Sequence, residues 1–213
     1  MKTSMIIPCY LLDRSFFEMT ETCLTTARKY GDIDEIIIVD DGSPYREFVF
    51  EDARIIRLQE NRGYPVAVNV GLQAASGDIL IVSNNDIVFT AHWLDELLEP
   101  LKRSYDISCI RASDSDGWTT EDKITEGDKF GSIWAIKRYA YEKLGGLDEQ
   151  FGRGTFEDTD YRRRALRAGF RVGKNHRGLV IHHARATFDA VDPGHLYFRR
   201  NAELYRKKWG FIE

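Results

Sequence analysis

The feature that most constrains the fold is an unbroken run of β-branched residues, Ile36-Ile37-Ile38-Val39, which stops at Asp40-Asp41-Gly42-Ser43-Pro44. A strand that is apolar at every position predicts burial on both faces, as in a parallel sheet covered by helices. The turn residues behind the run place Asp40 and Asp41 at the carboxyl end of that strand. An α/β fold is therefore predicted, with acidic side chains at an edge of its sheet.

Strand and helix signals alternate through the first half of the chain and predict an open, mostly parallel sheet flanked by helices. Ligands in such sheets bind beyond the carboxyl ends of the strands. Asp40-Asp41 and Asp86 both follow predicted strands, so we expect them to converge. The predicted strands cover residues 5–7, 35–39, 54–58 and 79–83, and the predicted helices cover 15–29, 65–76 and a segment capped by Thr90.

The second half is less regular. A polar loop is predicted over 112–128, strands over 130–136 and 179–181, and helices over 138–144, 157–168 and 195–208. Without a repeat or linker, we expect a single domain over 1–213, with lobes over 1–110 and 111–213.

Composition excludes several classes of protein. No apolar run reaches the roughly 18 residues that a membrane helix needs, and Met1 leads directly into a predicted strand instead of a signal peptide. Three widely spaced cysteines without a CxxC pair suit a reducing compartment, so a cytoplasmic protein is expected, free or at the inner membrane surface. The phosphate-binding patterns GxGxxG and GxxxxGK[ST] and the GxSxG elbow are missing, which argues against dehydrogenases, P-loop enzymes and α/β-hydrolases.

The charge is divided unevenly along the chain. Residues 1–128 carry 12 basic and 24 acidic side chains, a net charge of −12, whereas residues 129–213 carry a net charge of +8. An acidic half can hold a cation and a basic half can meet an anion, although the two halves could equally neutralise each other across an interface.

The acidic strand ends allow two interpretations. Asn84-Asn85-Asp86 offers oxygen ligands to a hard divalent cation such as Mg²⁺ or Mn²⁺, which would serve a diphosphate, but it could also be an ordinary turn. Asp40 and Asp41 could accept hydrogen bonds from a base and a ribose, and here too a turn is the alternative.

Three further groups could carry chemistry in the basic half. The acids of Phe156-Glu157-Asp158-Thr159-Asp160 either stabilise a helix start or supply a general base. His182 or His183 could complete a metal site, and Arg199-Arg200-Asn201 could face phosphates or form a solvated basic face.

Taken together and in order, these segments resemble the family 2 glycosyltransferases, which bind nucleotide sugars and have the GT-A fold. The resemblance covers nearly the whole chain, from Ile6 to about Lys208, although Asn84-Asn85-Asp86 replaces the family's Asp-x-Asp metal motif. The matching segments are Ile6-Ile7-Pro8-Cys9-Tyr10, Ile37 to Ser43, Asn61 to Asp78, Leu80 to Asp86, Lys137 to Phe151, Phe156 to Asp160, His182 with Thr187, and Tyr197-x-x-Arg200-Asn201.

The resemblance implies a nucleotide-binding N-terminal lobe, an acceptor-binding C-terminal lobe and a role for each matched residue. Asp158 is the expected catalytic base, and Asp86 with His182 is the expected metal pair, the choice between His182 and His183 resting on spacing. Glu157 and Arg200 are expected to contact acceptor or phosphate, and Trp134 either offers its face to an acceptor ring or is buried. The expected nucleotide-binding residues are Pro8, Tyr10, Asp40, Asp41, Arg62, Asn84 and Asn85.

The activity implied is a metal-dependent, inverting transfer of one sugar from a UDP- or dTDP-linked donor to an acceptor hydroxyl. The basic half favours an anionic acceptor, which leaves a phosphorylated glycan, a lipid-linked phosphate or a modified DNA base open. One alternative is a GT-A-like module that binds nucleotide or glycan without turnover. A nucleotidyltransferase is disfavoured because Pro8-Cys9-Tyr10-Leu11-Leu12 does not supply the glycine-rich basic loop such enzymes need.

Overall fold

A computed structural model describes residues 1–113, 121–127, 129–183 and 195–210, and one sheet runs through them. The strands described are β1 (Thr3–Cys9), β2 (Glu35–Asp40), β3 (Arg54–Arg57), β4 (Ile79–Ser83), β5 (Ile87–Phe89), β6 (Ile107–Ser113), β7 (Ile124–Glu126), β8 (Ile133–Lys137) and β9 (Val172–His182). The helices are α1 (Arg14–Tyr30), α2 (Tyr64–Ala74), α3 (Trp93–Lys102), α4 (Arg138–Leu144), α5 (Glu157–Arg167) and α6 (Leu196–Trp209), with a 3₁₀ turn over Glu149–Phe151.

The N-terminal half forms the parallel sheet that the β-branched run predicts. Strands β3, β2, β1 and β4 lie side by side in parallel, with Ile6 of β1 opposite Ile37 of β2. Alternate side chains of β2 point to opposite faces: Ile36 and Ile38 pack in one buried cluster with α1, and Ile37 packs in the other with α2. Burial on both faces explains why the run is apolar at every position.

The C-terminal half extends the same sheet with mixed pairing. Strand β8 lies antiparallel between β4 and β6, β9 runs parallel to β6, and β5 and β7 pair antiparallel with β9. The predicted lobe boundary at residues 110–111 falls inside β6, so both lobes contribute to one sheet. The α/β fold with its central, mostly parallel sheet is confirmed.

Local predictions were wrong in three places. Thr90 does not cap α3, because His92 is the N-cap in a left-handed conformation and the Thr90 hydroxyl donates to the Leu179 carbonyl instead. Part of the predicted polar loop forms the edge strand β7, whereas residues 114–120 and 128 lie outside the described residues. Strand β9 begins at Val172, well before the predicted 179–181, because its first half is polar and glycine-containing.

Strands β5 and β6 were not predicted at all, since β5 has three residues and β6 alternates polar with apolar residues only weakly. Within the described residues, no helix combines the length and apolarity needed to cross a bilayer.

Candidate active site

A cleft of about 480 Å³ lies beyond the carboxyl ends of β1, β2 and β4, where open α/β sheets bind ligands. Ten of the expected site residues line it: Pro8, Tyr10, Asp41, Asn84, Asn85, Asp86, Trp134, Glu157, Asp158 and His182. Asp40, Arg62 and Arg200 do not belong to its lining. The acidic strand ends therefore converge as the sequence predicts, together with the acids at the start of α5.

At one end of the cleft, the Asp41 carboxylate organises the chain before α2. Its two oxygens accept hydrogen bonds of 2.8 Å from the backbone N–H groups of Arg62 and Gly63. Burial raises the pKa of Asp41 above its ordinary value, and these two hydrogen bonds oppose that rise. Gly63 has φ = 96°, and a Cβ there would lie 2.1 Å from the carbonyl oxygen of Gly152, so only glycine fits.

Asp40 and Arg62 do not reach the cleft for simple geometric reasons. Consecutive residues at a strand end point to opposite sides, and Asp40 is turned into the interior while Asp41 faces the cleft. Its carboxylate accepts a 2.9 Å hydrogen bond from the Ser43 N–H and forms a 2.7 Å ion pair with Nε of Arg57. Arg62 contributes its backbone N–H to Asp41, but the residue is otherwise exposed to solvent.

The cleft lining includes an acid–imidazole pair. Asp86 follows β4 and His182 ends β9, and the pairing of Ile87 with His182 brings the two side chains together. Oδ1 of Asp86 lies 3.0 Å from Nε2 of His182 and accepts no hydrogen bond, although it is buried. His183 is exposed and contacts Asp86 only through its backbone N–H, so His182 is the histidine that the fold places at this position.

The two asparagines beside this pair have different surroundings. Nδ2 of Asn84 lies 3.2 Å from Nε2 of His182, and its Oδ1 accepts a 3.2 Å hydrogen bond from the hydroxyl of Tyr64. Asn85 donates to the hydroxyl of Thr20 on α1, which holds the strand end against that helix. Asn84 thus supports the His182 ring directly, whereas Asn85 anchors the backbone.

A divalent cation fits the Asp86–His182 pair. Its buried Oδ1 atom without a hydrogen-bond donor is a carboxylate oxygen of the kind that hard cations bind. Elsewhere in the described residues, and here too, no group of three or more His, Cys, Asp and Glu side chains forms a complete cage. A site with two protein ligands suits Mg²⁺ or Mn²⁺ that takes its remaining ligands from water and a diphosphate.

The cleft lining also includes the acids at the start of α5. Glu157 is 8% exposed, and its Oε2 atom has no hydrogen-bond partner. Burial, together with the neighbouring Asp158 carboxylate, raises the pKa of Glu157 to about 8, so it keeps its proton at neutral pH. Burial also raises the pKa of Asp158, while hydrogen bonds from the N–H and hydroxyl of Thr159 oppose the rise.

The chain before α5 has an unusual backbone. Thr155 and Phe156 have φ values of 75° and 68°, and Gly154 has 115°. A left-handed conformation costs a residue with a side chain on the order of 1–3 kcal/mol and persists only where surrounding contacts impose it. The backbone thus fixes where Glu157 and Asp158 enter the cleft.

Residues 4–170 match the family model described as "Glycosyl transferase family 2". The chain belongs to glycosyltransferase family 2. The family prediction made from the ordered segments is therefore confirmed.

Two curated relatives place this family 2 chain among sugar transferases. It is 32% identical over 123 residues to an undecaprenyl-phosphate 4-deoxy-4-formamido-L-arabinose transferase of Pectobacterium atrosepticum, covering 53% of this chain and 38% of that protein. It is also 32% identical over 117 residues to a dolichol-phosphate mannosyltransferase of Pyrococcus furiosus, covering 51% of this chain and 32% of that one. The chain thus spans less than two fifths of the length of either relative.

Two solved structures share the GT-A fold of this family 2 chain. A structure of GalNAc-T7 with UDP, GalNAc and Mn²⁺ has a TM-score of 0.71 at 16% identity, covering 85% of this chain and 43% of that one. A structure of S. aureus TarS residues 1–349 has a TM-score of 0.64 at 17% identity, covering 90% of this chain and 63% of the other.

Two expected contact residues of the family 2 chain take different positions. Trp134 is buried, with its ring centroid 5.3 Å from those of Phe130 and Tyr161, so only part of it reaches the cleft wall. Arg200 lies outside the cleft lining because its guanidinium group is directed to the carbonyl of Gln150, at 3.3 Å.

Several cleft residues carried no sequence signal of their own. Tyr64 starts α2 directly after Asn61-Arg62-Gly63, and its buried hydroxyl has a pKa well above its ordinary value because of burial and nearby carboxylates. Arg153 and Thr155 lie in the glycine-rich stretch before the Glu157-Asp158 pair and also line the cleft. The glycines and the acids behind them are the only hint in the sequence that this stretch reaches the site.

Part of the basic half is neutralised within the protein. Arg164 forms an ion pair with Asp160, and Arg171 forms one with Glu126. Arg177 pairs with both Glu96 and Asp122, and Lys208 pairs with both Asp148 and Asp160. Arg185 and Thr187 lie outside the described residues. The charge asymmetry of the sequence therefore overstates the basic charge available to an acceptor.

Proposed function

We propose that this chain is an inverting, metal-dependent glycosyltransferase that moves one sugar from a UDP- or dTDP-linked donor to an acceptor hydroxyl. The observation that carries the proposal is the placement of three groups along one cleft: the Asp41 turn, the Asp86–His182 pair and the Glu157–Asp158 pair. Each group offers a place for one part of the reaction: Asp41 for the nucleoside, the Asp86–His182 pair for the diphosphate and the Glu157–Asp158 pair for the reacting hydroxyl.

The nucleoside would bind at the Asp41 end. Each carboxylate oxygen of Asp41 accepts one backbone hydrogen bond and keeps a free lone pair for a base N–H or a ribose hydroxyl. Pro8 and Tyr10 line the same end of the cleft at the carboxyl end of β1 and would lie beside the ring. Asp40 would not touch the ligand; its carboxylate stabilises this end of the cleft through a hydrogen bond from the Ser43 N–H and an ion pair with Arg57.

The diphosphate would lie over Asp86 and His182. These two side chains would hold Mg²⁺ or Mn²⁺, which when bound supplies positive charge to the departing diphosphate. Without the cation, Nδ2 of Asn84 lies 3.2 Å from Nε2 of His182, whose lone pair the cation would take over, and the hydroxyl of Tyr64 holds Asn84 beside the ring. The chain's own part in this step is to keep both ligands fixed before the donor arrives.

Asp158 would act as the general base. It accepts the proton of the acceptor hydroxyl while that oxygen bonds to the anomeric carbon and the bond from this carbon to the diphosphate oxygen breaks. Attack from the face opposite the leaving group inverts the carbon and needs no covalent sugar–enzyme intermediate. Glu157 remains protonated at neutral pH, so it lowers the local negative charge and can donate a hydrogen bond to a sugar or acceptor oxygen.

The names of the two relatives favour a second acceptor class, a lipid-linked phosphate. The two classes differ in what they require of Asp158. A phosphate monoester, whose second pKa is about 6, is already ionised at neutral pH and attacks without a base. A hydroxyl keeps its proton and needs one, and the buried, partly desolvated Asp158 suits that task better.

The experiment that tests the donor site is thermal unfolding against a panel of nucleotides and nucleotide sugars, with and without Mn²⁺. A ligand at about 100 times its Kd should raise the Tm by about 5–10 °C in a chain of this length. We expect a metal-dependent rise with one uridine or thymidine diphosphate sugar, and its loss in Asp86→Ala. The control is Asp78→Ala, which removes a carboxylate that bonds the backbone of Lys2, far from the cleft lining.

A cooperative transition that no nucleotide shifts would contradict the donor site and favour a non-catalytic member of the family. Once a donor is identified, transfer is measured with it on anionic glycans, a polyprenyl phosphate and DNA. Loss of transfer in Asp158→Asn identifies a hydroxyl acceptor, whereas transfer to a polyprenyl phosphate that survives this substitution identifies the phosphate class.

A further inference from the structure

The segment over residues 152–156 joins the 3₁₀ turn to α5 and delivers the Glu157–Asp158 pair to the cleft. Four of its five residues have positive φ, at 58°, 115°, 75° and 68° for Gly152, Gly154, Thr155 and Phe156. The last two carry side chains, and α5 starts after them without a side-chain cap. Local preference therefore opposes this conformation, and contacts from elsewhere must maintain it.

Asn201 of α6 supplies those contacts from one side. The residue is fully buried, and its Nδ2 lies 2.6 Å from the carbonyl oxygen of Phe151 and 2.5 Å from that of Gly154. The carbonyl and hydroxyl oxygens of Thr155 both lie 3.3 Å away from the same nitrogen. All four partners are acceptors, and an amide nitrogen brings two N–H donors to them.

Two further sets of contacts hold residues 152–156 in place. The ring of Phe156 packs against Phe198 and Tyr205 of α6, with centroids 5.3 and 5.5 Å apart. On the opposite side, the carbonyl of Gly152 lies so close to Gly63 that no Cβ fits there. Residues 152–156 are thus clamped between α6 and the turn that Asp41 organises.

We infer that Asn201 is a positioning residue: through its hydrogen bonds to residues 151–155 it fixes the backbone that aims Glu157 and Asp158 into the cleft. Asn201 does not line the cleft itself, so it acts without touching substrate. Its effect on turnover rests on the proposed function, whereas its effect on the geometry of the acid pair does not.

The test compares the wild type with Asn201→Asp, which has nearly the same shape but, when ionised, no N–H or O–H to donate to the four acceptors. We expect kcat for sugar transfer to fall about a hundredfold, while the KM and Kd of the donor stay within about threefold. The carboxyl of Glu157, followed by ¹³C NMR, should titrate near pH 8 in the wild type and closer to its ordinary range in the variant, because a loosened segment admits water. Glu203→Gln, an exposed change on the same helix, is the matched control and should alter neither quantity.

If Asn201→Asp does not fold, the double variant Thr155→Gly, Asn201→Asp is measured instead. Glycine adopts positive φ without steric cost, so it should restore folding and part of kcat. A double variant that is no better folded than Asn201→Asp overturns the inference, because strain at Thr155 is then not what Asn201 balances.

Wild-type kcat together with unchanged Glu157 titration in Asn201→Asp also overturns it, as does a loss of donor binding equal to the loss of turnover. A wild type that transfers no sugar would contradict the proposed function, while the titration of Glu157 would still decide the role of Asn201.

Discussion

The two ends of the cleft use carboxylates in opposite ways. At the nucleoside end, each oxygen of Asp41 accepts a backbone hydrogen bond, and Asp40 is held by Ser43 and Arg57. At the reacting end, which comprises the Asp86–His182 and Glu157–Asp158 pairs, Oε2 of Glu157 is buried without a hydrogen-bond partner, and Oδ1 of Asp86 lies 3.0 Å from Nε2 of His182 but accepts no hydrogen bond. Burying a polar atom without a partner costs about 1–3 kcal/mol, so Oε2 of Glu157 is retained at the expense of stability.

The carboxylates therefore have two different roles: some stabilise the fold through hydrogen bonds, and others remain available to bind a ligand. The Asp41 oxygens fix the turn before α2 whether or not a ligand is bound. Oε2 of Glu157 lacks a hydrogen-bond partner and Oδ1 of Asp86 has the His182 ring beside it without accepting a hydrogen bond, which is expected where a cation or substrate completes the site. Substitutions at the two ends should therefore affect different measurements.

The largest effect is expected for Asp158→Asn with a hydroxyl acceptor. The amide cannot accept the proton, so kcat should fall by about 10²–10⁴ while the Kd of the nucleotide sugar is unchanged. Steady-state kinetics and donor thermal shifts measure the two quantities separately. Turnover near the wild-type rate would remove Asp158 from the role of base.

The next largest effect is expected for Asp41→Asn, and it is an effect on folding. An amide can accept from only one of the two N–H groups of Arg62 and Gly63, and its NH₂ group would face the other. The free energy of unfolding should fall by about 1–3 kcal/mol and the Tm by about 3–8 °C. Calorimetry without ligand measures this loss.

Asp86→Asn is the matched comparison at the reacting end. Its Oδ1 atom lies 3.0 Å from Nε2 of His182 but accepts no hydrogen bond, so the same chemical change should move the Tm of the ligand-free protein by no more than about 2 °C. An equal loss of stability in Asp41→Asn and Asp86→Asn would remove the distinction between the two ends.

A smaller effect, dependent on pH, is expected for Glu157→Gln. The folded-state pKa of about 8 lies above the ordinary value of 4.5, so the contribution of Glu157 to stability is complete below pH 4.5 and lost as pH rises through about 8. Glutamine does not titrate, so the Tm of the variant relative to the wild type should rise by about 3 °C between pH 7 and pH 8. A difference that stays constant over this range would show that Glu157 titrates normally.

The sequence was sufficient for the parts of this site that follow from strand burial and chain order. The run at 36–39 predicted a strand buried on both faces, and the turn residues after it and after β4 predicted the sheet edge where Asp41 and Asp86 meet. These inferences need only local residue types, because the carboxyl ends of neighbouring parallel strands lie at the same edge.

Other parts depend on contacts between residues far apart in sequence. The inward orientation of Asp40 depends on its ion pair with Arg57 of β3. The left-handed backbone at Thr155 depends on the hydrogen bonds from Asn201 of α6. The direction of Arg200 depends likewise on the carbonyl of Gln150. Periodicity and motif spacing do not report such contacts, so the sequence identified these residues without their surroundings.

The smallest effect is expected for Arg200→Ala, which tests whether a basic residue beside the site belongs to it. Arg200 is exposed, outside the cleft lining, and its hydrogen bonds to Gln150 and Asn201 are long, at 3.3 and 3.4 Å. Exposed polar contacts of this kind contribute little, so the Tm should change by no more than about 2 °C and the Kd of the nucleotide sugar by no more than about twofold. Arg153→Ala is the informative counterpart, because Arg153 lines the cleft and its charge opposes the rise that burial causes in the pKa of Asp41. A tenfold loss of donor affinity in Arg200→Ala would mean that α6 turns this side chain toward the diphosphate on binding, and the reacting end of the cleft would then include the C-terminal helix.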